Sequence, residues 1–145
     1  MNTLQNIVAC VWVSLGLLAY AGQFVSAVSF ELAQRLGLQE RSENVDPMHS
    51  TLEKVTARWD VFVLWTAPVA GALALLSHAW WPALFVIAGT VYLDAGGREW
   101  AKIIGLRAHG KPIGSNFELI KIYGTYAYLV LAGLAGLLAG LAAMV

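Results

Sequence analysis

The residues of this chain that could carry chemistry are charged and hydroxyl side chains set inside or beside long apolar runs. Asp94 is the deepest. Counted from Trp81 at about 1.5 Å per helical residue, it lies roughly 20 Å into a core about 30 Å thick. Arg98 follows one turn later on the same helical face, so an Asp94–Arg98 pair is geometrically natural. Arg58 and Asp60 fall at the inner end of the second apolar run, Glu118 and Lys121 at the inner end of the fourth, and Glu31 at the inner end of the first. Three cations, Arg58, Arg98 and Lys121, could hold an anionic group. Tyr123 and Tyr126, three residues apart on one face, could turn polarising hydroxyls toward the same place. Each has a structural alternative. Lys121, Glu118 and Glu31 can reach the headgroups and pair locally, a buried Asp94–Arg98 pair can simply lock helices together, and Tyr128 reads as an interfacial aromatic.

Other chemistries are disfavoured by what is missing. Cys10 is the single cysteine, so no intrachain disulfide can form. His49, His78 and His109 have no partner at ligand spacing, so no metal site is expected. None lies within an apolar run, where a membrane haem would want its ligands. The formal net charge is +0, which gives no electrostatic case for nucleic acid. A proton-coupled four-helix exporter would want an acid within its first run, and Glu31 stands only at that run's end.

The elements that must position these residues follow from hydropathy. Of 145 residues 59% are hydrophobic and only 12% charged, about half the charge usual in a soluble domain. The apolar residues gather into runs near the ~20 residues that cross a bilayer as a helix. Four spans are expected, over 7–30, 55–76, 82–104 and 117–144, in one all-α antiparallel up-down-up-down transmembrane bundle. The first is read as continuing helically through Leu38. Asp46-Pro47 marks a turn, and Pro68 should kink the second span, its freed carbonyl taken up by a hydroxyl such as that of Thr66. Gly136 and Gly140 form a G-x-x-x-G that supports close helix packing, within the bundle or between subunits.

Every lysine and arginine lies in or beside the first and third connections, 31–58 and 98–121, and none lies near the termini or the Trp80-Trp81 turn. The positive-inside rule therefore predicts both charged loops cytoplasmic and both termini outside; the expected location is a bacterial inner membrane.

The order of features resembles the MAPEG family, the membrane-associated proteins in eicosanoid and glutathione metabolism. In the second span Arg58 and Pro68 stand at the family's separation, with Phe62 and Trp65 where the family has an asparagine and a glutamate. Gly97-Arg98, Gly105 and Gly110-Lys111-Pro112 resemble the family's third helix and the loop after it. The resemblance implies a homotrimer and a cytoplasm-facing site. It also implies glutathione as cosubstrate, with an incomplete motif, because Phe62 and Trp65 cannot make the bonds of the residues they replace.

The expected function is a divergent MAPEG-like protein that binds a lipophilic or anionic conjugated ligand through Arg58, Asp60, Asp94, Arg98, Lys121, Tyr123 and Tyr126. It would be a degenerate transferase or a pure binder. The alternative is a non-catalytic subunit packed in a larger membrane complex. A transporter using Asp94 as an ion site ranks below both, since Arg98 is at hand to neutralise it.

Overall fold

Small polar residues set the helix boundaries. In the computed structural model, which describes residues 3–145, the chain forms α1 (Thr3–Val28), α2 (Phe30–Arg35), α3 (Pro47–Val63), α4 (Thr66–Leu75), α5 (Trp81–Ala108) and α6 (Asn116–Ala142), with one 3-10 turn at Ser42–Asn44. Among the described residues the only β pairing is an isolated bridge between Val45 and Ile113.

The first helix does not run unbroken to Leu38. Ser29 takes an extended conformation, and its hydroxyl accepts from the Leu32 amide at 3.3 Å, capping α2. A serine hydroxyl can replace a helical hydrogen-bond partner, so the chain bends there at little cost. The short α2 then stops at Gly37, whose φ of +69° suits glycine.

The second run begins earlier than expected. Pro47 occupies the first turn of α3 and Asp46 caps it, accepting from the Met48 amide at 2.9 Å. The break imposed by Pro68 falls one turn before the proline, at Leu64–Trp65, between α3 and α4. Proline lacks the N–H that would serve the carbonyl four residues back, and its ring crowds that carbonyl. Side chains cover the neighbouring carbonyls. Thr66 Oγ1 donates to the Val63 oxygen at 2.7 Å, and Trp65 Nε1 donates to that of Phe62 at 2.8 Å. Pro68 itself sits in the first turn of α4, where helical N–H groups have no intrahelical partner anyway.

The four rods, α1, α3–α4, α5 and α6, run antiparallel. At one end the α2–α3 connection meets the α5–α6 loop. The Asp46 amide donates to the Pro112 carbonyl at 2.9 Å and the Arg41 amide to Glu118 at 3.2 Å. At the other end Gly140 lies against Pro82, and Gly71 against Ala9. Gly136 and Gly140 both pack inside this one chain. A Cβ on Gly140 would come within 2.7 Å of the Pro82 oxygen, and one on Gly136 would enter the Trp12 ring. The tightest α5–α6 approach adds Gly89 and Gly133, where a Cβ on Gly133 would meet both the Gly89 oxygen and the Leu93 nitrogen at 2.9 Å. Trp12, Phe85 and Tyr92 are fully buried at the centre, with the Trp12 and Phe85 rings 4.6 Å apart. Tyr128 lies against the Tyr92 ring rather than standing alone at an interface.

Among the described residues two helices are long and apolar enough to cross a membrane, over Gln5–Val28 and Asn116–Ala142, each with a mean hydropathy of 1.8. The second rod is cut in two, and the later part of α5 carries Asp94, Arg98, Glu99 and Lys102.

Candidate functional site

The buried face of α5 runs through Tyr92, Ala95, Gly96, Glu99 and Ile103. This stripe carries Glu99 into the bundle and leaves Asp94 on the outside, with its side chain 68% exposed. Depth along the axis thus does not make Asp94 the central acid. Asp60 of α3, whose side chain is 5% exposed, and Glu99 take that place.

Arg98 gathers three carboxylates: Asp60 at 3.2 Å, Glu99 at 3.4 Å and Asp94 at 3.6 Å. One turn on, Lys102 is clasped between Glu53 of α3 and Glu99. The Tyr126 hydroxyl of α6 donates to the same Glu99 carboxylate at 3.2 Å. His49 is 1% exposed, inside α3 rather than in a loop. Its Nε2 stands 3.7 Å from Glu40 and its Nδ1 3.9 Å from Glu53, too far for either nitrogen to be hydrogen-bonded. The result is a chain of alternating acidic and basic residues from Glu40 through His49, Glu53, Lys102, Glu99 and Arg98 to Asp60, joining the α2–α3 connection, α3 and α5. Asp46 lies at the rim, outside the rods. Lys111 at 3.0 Å, with the Met48 amide, holds its carboxyl below the usual range.

Beside this chain, under the α2–α3 connection and against α6, lies a cavity of about 410 Å³. Its more buried lining includes Glu53, Gln39, Ile122 and Tyr126. Toward solvent it is lined by Arg35, Arg41, Phe117 and Lys121. Gln23 of α1 also lines it, and the Gln23 Oε1 is buried without a hydrogen-bond partner.

The seven residues expected to meet a ligand do not converge. Arg58 is exposed and has no ion pair among the described residues. It lies two residues from Asp60, about 200° around a helix, so only one of the two can face inward. Arg98 is held by its three acids. Lys121 lines the cavity, donating to the Gly37 carbonyl at 3.3 Å with its ammonium 4.6 Å from the Phe117 ring centre. Tyr126 lines the cavity and reaches Glu99. Tyr123 turns the other way, against the Trp100 ring, its hydroxyl accepting from Arg107 at 2.8 Å. Asp60 is in the cluster and Asp94 at its edge.

Glu40, His49, Glu53, Glu99 and Lys102 were not singled out by type and depth. A signal was present in their spacing: His49 and Glu53 are four apart, Glu99 and Lys102 three apart, and Glu99 is seven after Tyr92, all same-face separations on a helix. Among the described residues no group of three or more histidine, cysteine, aspartate or glutamate side chains could hold a metal ion. No family model, no curated protein and no solved structure matches the chain.

Proposed function

We propose that the chain is a four-span protein of a bacterial inner membrane, its charged end cytoplasmic, that binds a small amphiphilic molecule in the cavity beneath α2. The spans would be α1, the α3–α4 rod, α5 and α6. Support for the membrane comes from the two long apolar helices and from the segregation of all lysines and arginines to one end.

The observation that carries the binding reading is the cavity itself. It combines apolar lining from Leu38, Phe117 and Ile122 with one buried polar atom, Gln23 Oε1, that has no hydrogen-bond partner among the described residues. Buried polar atoms are normally paired, and an unpaired one facing a space of this size is a site for a ligand atom or water. Native mass spectrometry of protein released in mild detergent tests it. Wild type should carry a small molecule that Thr125→Trp, which fills the cavity from its exposed side, does not. Ligand-free spectra for both would overturn the reading. A stoichiometric unrelated protein in place of a small molecule would favour the accessory-subunit alternative.

MAPEG kinship is a separate proposal with its own test. Arg58, Phe62 and Trp65, which carry that resemblance, are all exposed and none lines the cavity. If the kinship holds, glutathione should bind and Arg58→Ala should weaken it, while the cavity ligand stays bound.

A further inference from the structure

The cluster beside the cavity is short of positive charge. Four carboxylates, Glu40, Glu53, Asp60 and Glu99, stand against two permanent cations, Arg98 and Lys102. The deficit is two charges with His49 neutral and one with its imidazole protonated on both nitrogens. Asp94, which also touches Arg98, only deepens it. Uncompensated charge away from water is expensive and is normally met by a partner.

The deficit is not spread evenly. Asp60 and Glu99 lie close to Arg98 and Lys102. Glu40 has no lysine or arginine within salt-bridge distance among the described residues. Its nearest cation-capable neighbour, His49, is 3.7 Å away with neither ring nitrogen hydrogen-bonded, though the side chain is 1% exposed. Both Glu40 and Glu53 line the cavity, and so does Gln23, whose buried Oε1 is another acceptor without a donor. This part of the lining therefore offers acceptors and negative charge and lacks donors. The cations that also line the cavity already have partners. Arg35 pairs with Glu31, Arg41 pairs with Glu43 at 3.7 Å, and Lys121 is on the Gly37 carbonyl and the Phe117 ring. All three are exposed and screened by solvent.

We propose that the cavity takes an organic cation, a primary ammonium on an apolar body, with the ammonium against Glu40, Glu53 and Gln23 and the body against Ile122 and Phe117. The proposal rests on the binding reading above and reverses the charge expected of the ligand from Arg58, Arg98 and Lys121. An ammonium has three donors and one positive charge, which matches the acceptors left open and reduces the deficit by one.

Calorimetry on the full-length protein in detergent tests it with two probes of similar size and opposite charge, 2-phenylethylammonium and 3-phenylpropanoate. The ammonium should bind saturably and the carboxylate should not. Glu40→Gln, which keeps the shape and touches neither Arg98 nor Lys102, should weaken ammonium binding at least tenfold. Glu31→Gln, outside the cavity, should leave it unchanged. A thermal melt of each variant matching wild type excludes misfolding as the cause. Binding of the carboxylate alone would overturn the cation inference and leave the cavity reading standing. Binding of neither probe would overturn both, the deficit then being met by protons. Equal binding by wild type and Glu40→Gln would remove Glu40 from the site and sink the proposal.

Discussion

At the scale of single residues, Lys102 matters most to the charged end, because it alone separates Glu53 from Glu99. Lys102→Met would leave the buried Glu53 carboxylate without a lysine or arginine partner and Glu99 with Arg98 alone. Breaking a buried pair from one side typically costs about 3–5 kcal/mol, so thermal unfolding in detergent should show a large fall in midpoint. Arg58→Met should change it little, within about 0.5 kcal/mol, as is usual for exposed sites without partners. Asp46 supplies a pH dependence. Its carboxyl is held low by Lys111 and the Met48 amide, so its contribution is complete above the ordinary aspartate value of about 3.9 and is lost as pH falls through the lower folded value. Proteolysis of the Lys111 loop should accelerate only in that acid range, and Asp46→Ala should make it fast at neutral pH. The contrast between Asp94 and Glu99 shows what a sequence hides at this scale. Counting residues yields depth along a helix and so favoured Asp94. Which side of α5 faces inward depends on partners in α3 and α6, and those put Glu99 inside.

At the scale of elements, the helix break and the glycine contacts were legible to different degrees. Pro68 announces a disruption, and Thr66 announces a hydroxyl near the freed carbonyls. The position of the break, one turn earlier, follows from which carbonyl loses its donor. Thr66→Val keeps the shape and removes the donor to the Val63 carbonyl, so it should cost about 1 kcal/mol, read as a lowered melting point. The G-x-x-x-G of α6 was readable as a packing signal, but its partners were not, since Trp12 and Pro82 belong to other helices. Gly133 and Gly89, which make a backbone approach as close, stand outside that motif. Gly133→Ala should therefore destabilise by about 1–3 kcal/mol, because the two nearest atoms its Cβ meets are backbone and cannot step aside without separating α5 from α6. Gly124→Ala, with nothing near its Cβ, should be neutral or stabilise by up to about 1 kcal/mol through helix propensity.

At the scale of the whole molecule, charge and packing point the same way. The connection before α3 and the loop before α6 are bonded to one another through Asp46–Pro112 and Arg41–Glu118, so they share one end of the bundle. The α4–α5 turn and the end of α6 share the other, through Pro82 and Gly140. All nine basic residues lie toward the first end. Antiparallel rods with every basic group at one end are what a polytopic helical protein needs in order to insert with a single orientation, because each short charged connection separately resists translocation. Cysteine labelling can test this directly. With Cys10→Ser as background, Glu43→Cys places a thiol on the exposed 3-10 turn of the charged end, and Ala79→Cys places one in the exposed α4–α5 turn. In right-side-out vesicles a membrane-impermeant maleimide should label position 79 and spare position 43, and in inverted vesicles the pattern should reverse. The opposite pattern would keep the four-span bundle and refute its orientation. Labelling of both positions from one side would mean that the α3–α4 rod, the element between them, does not cross, and would refute the four-span reading.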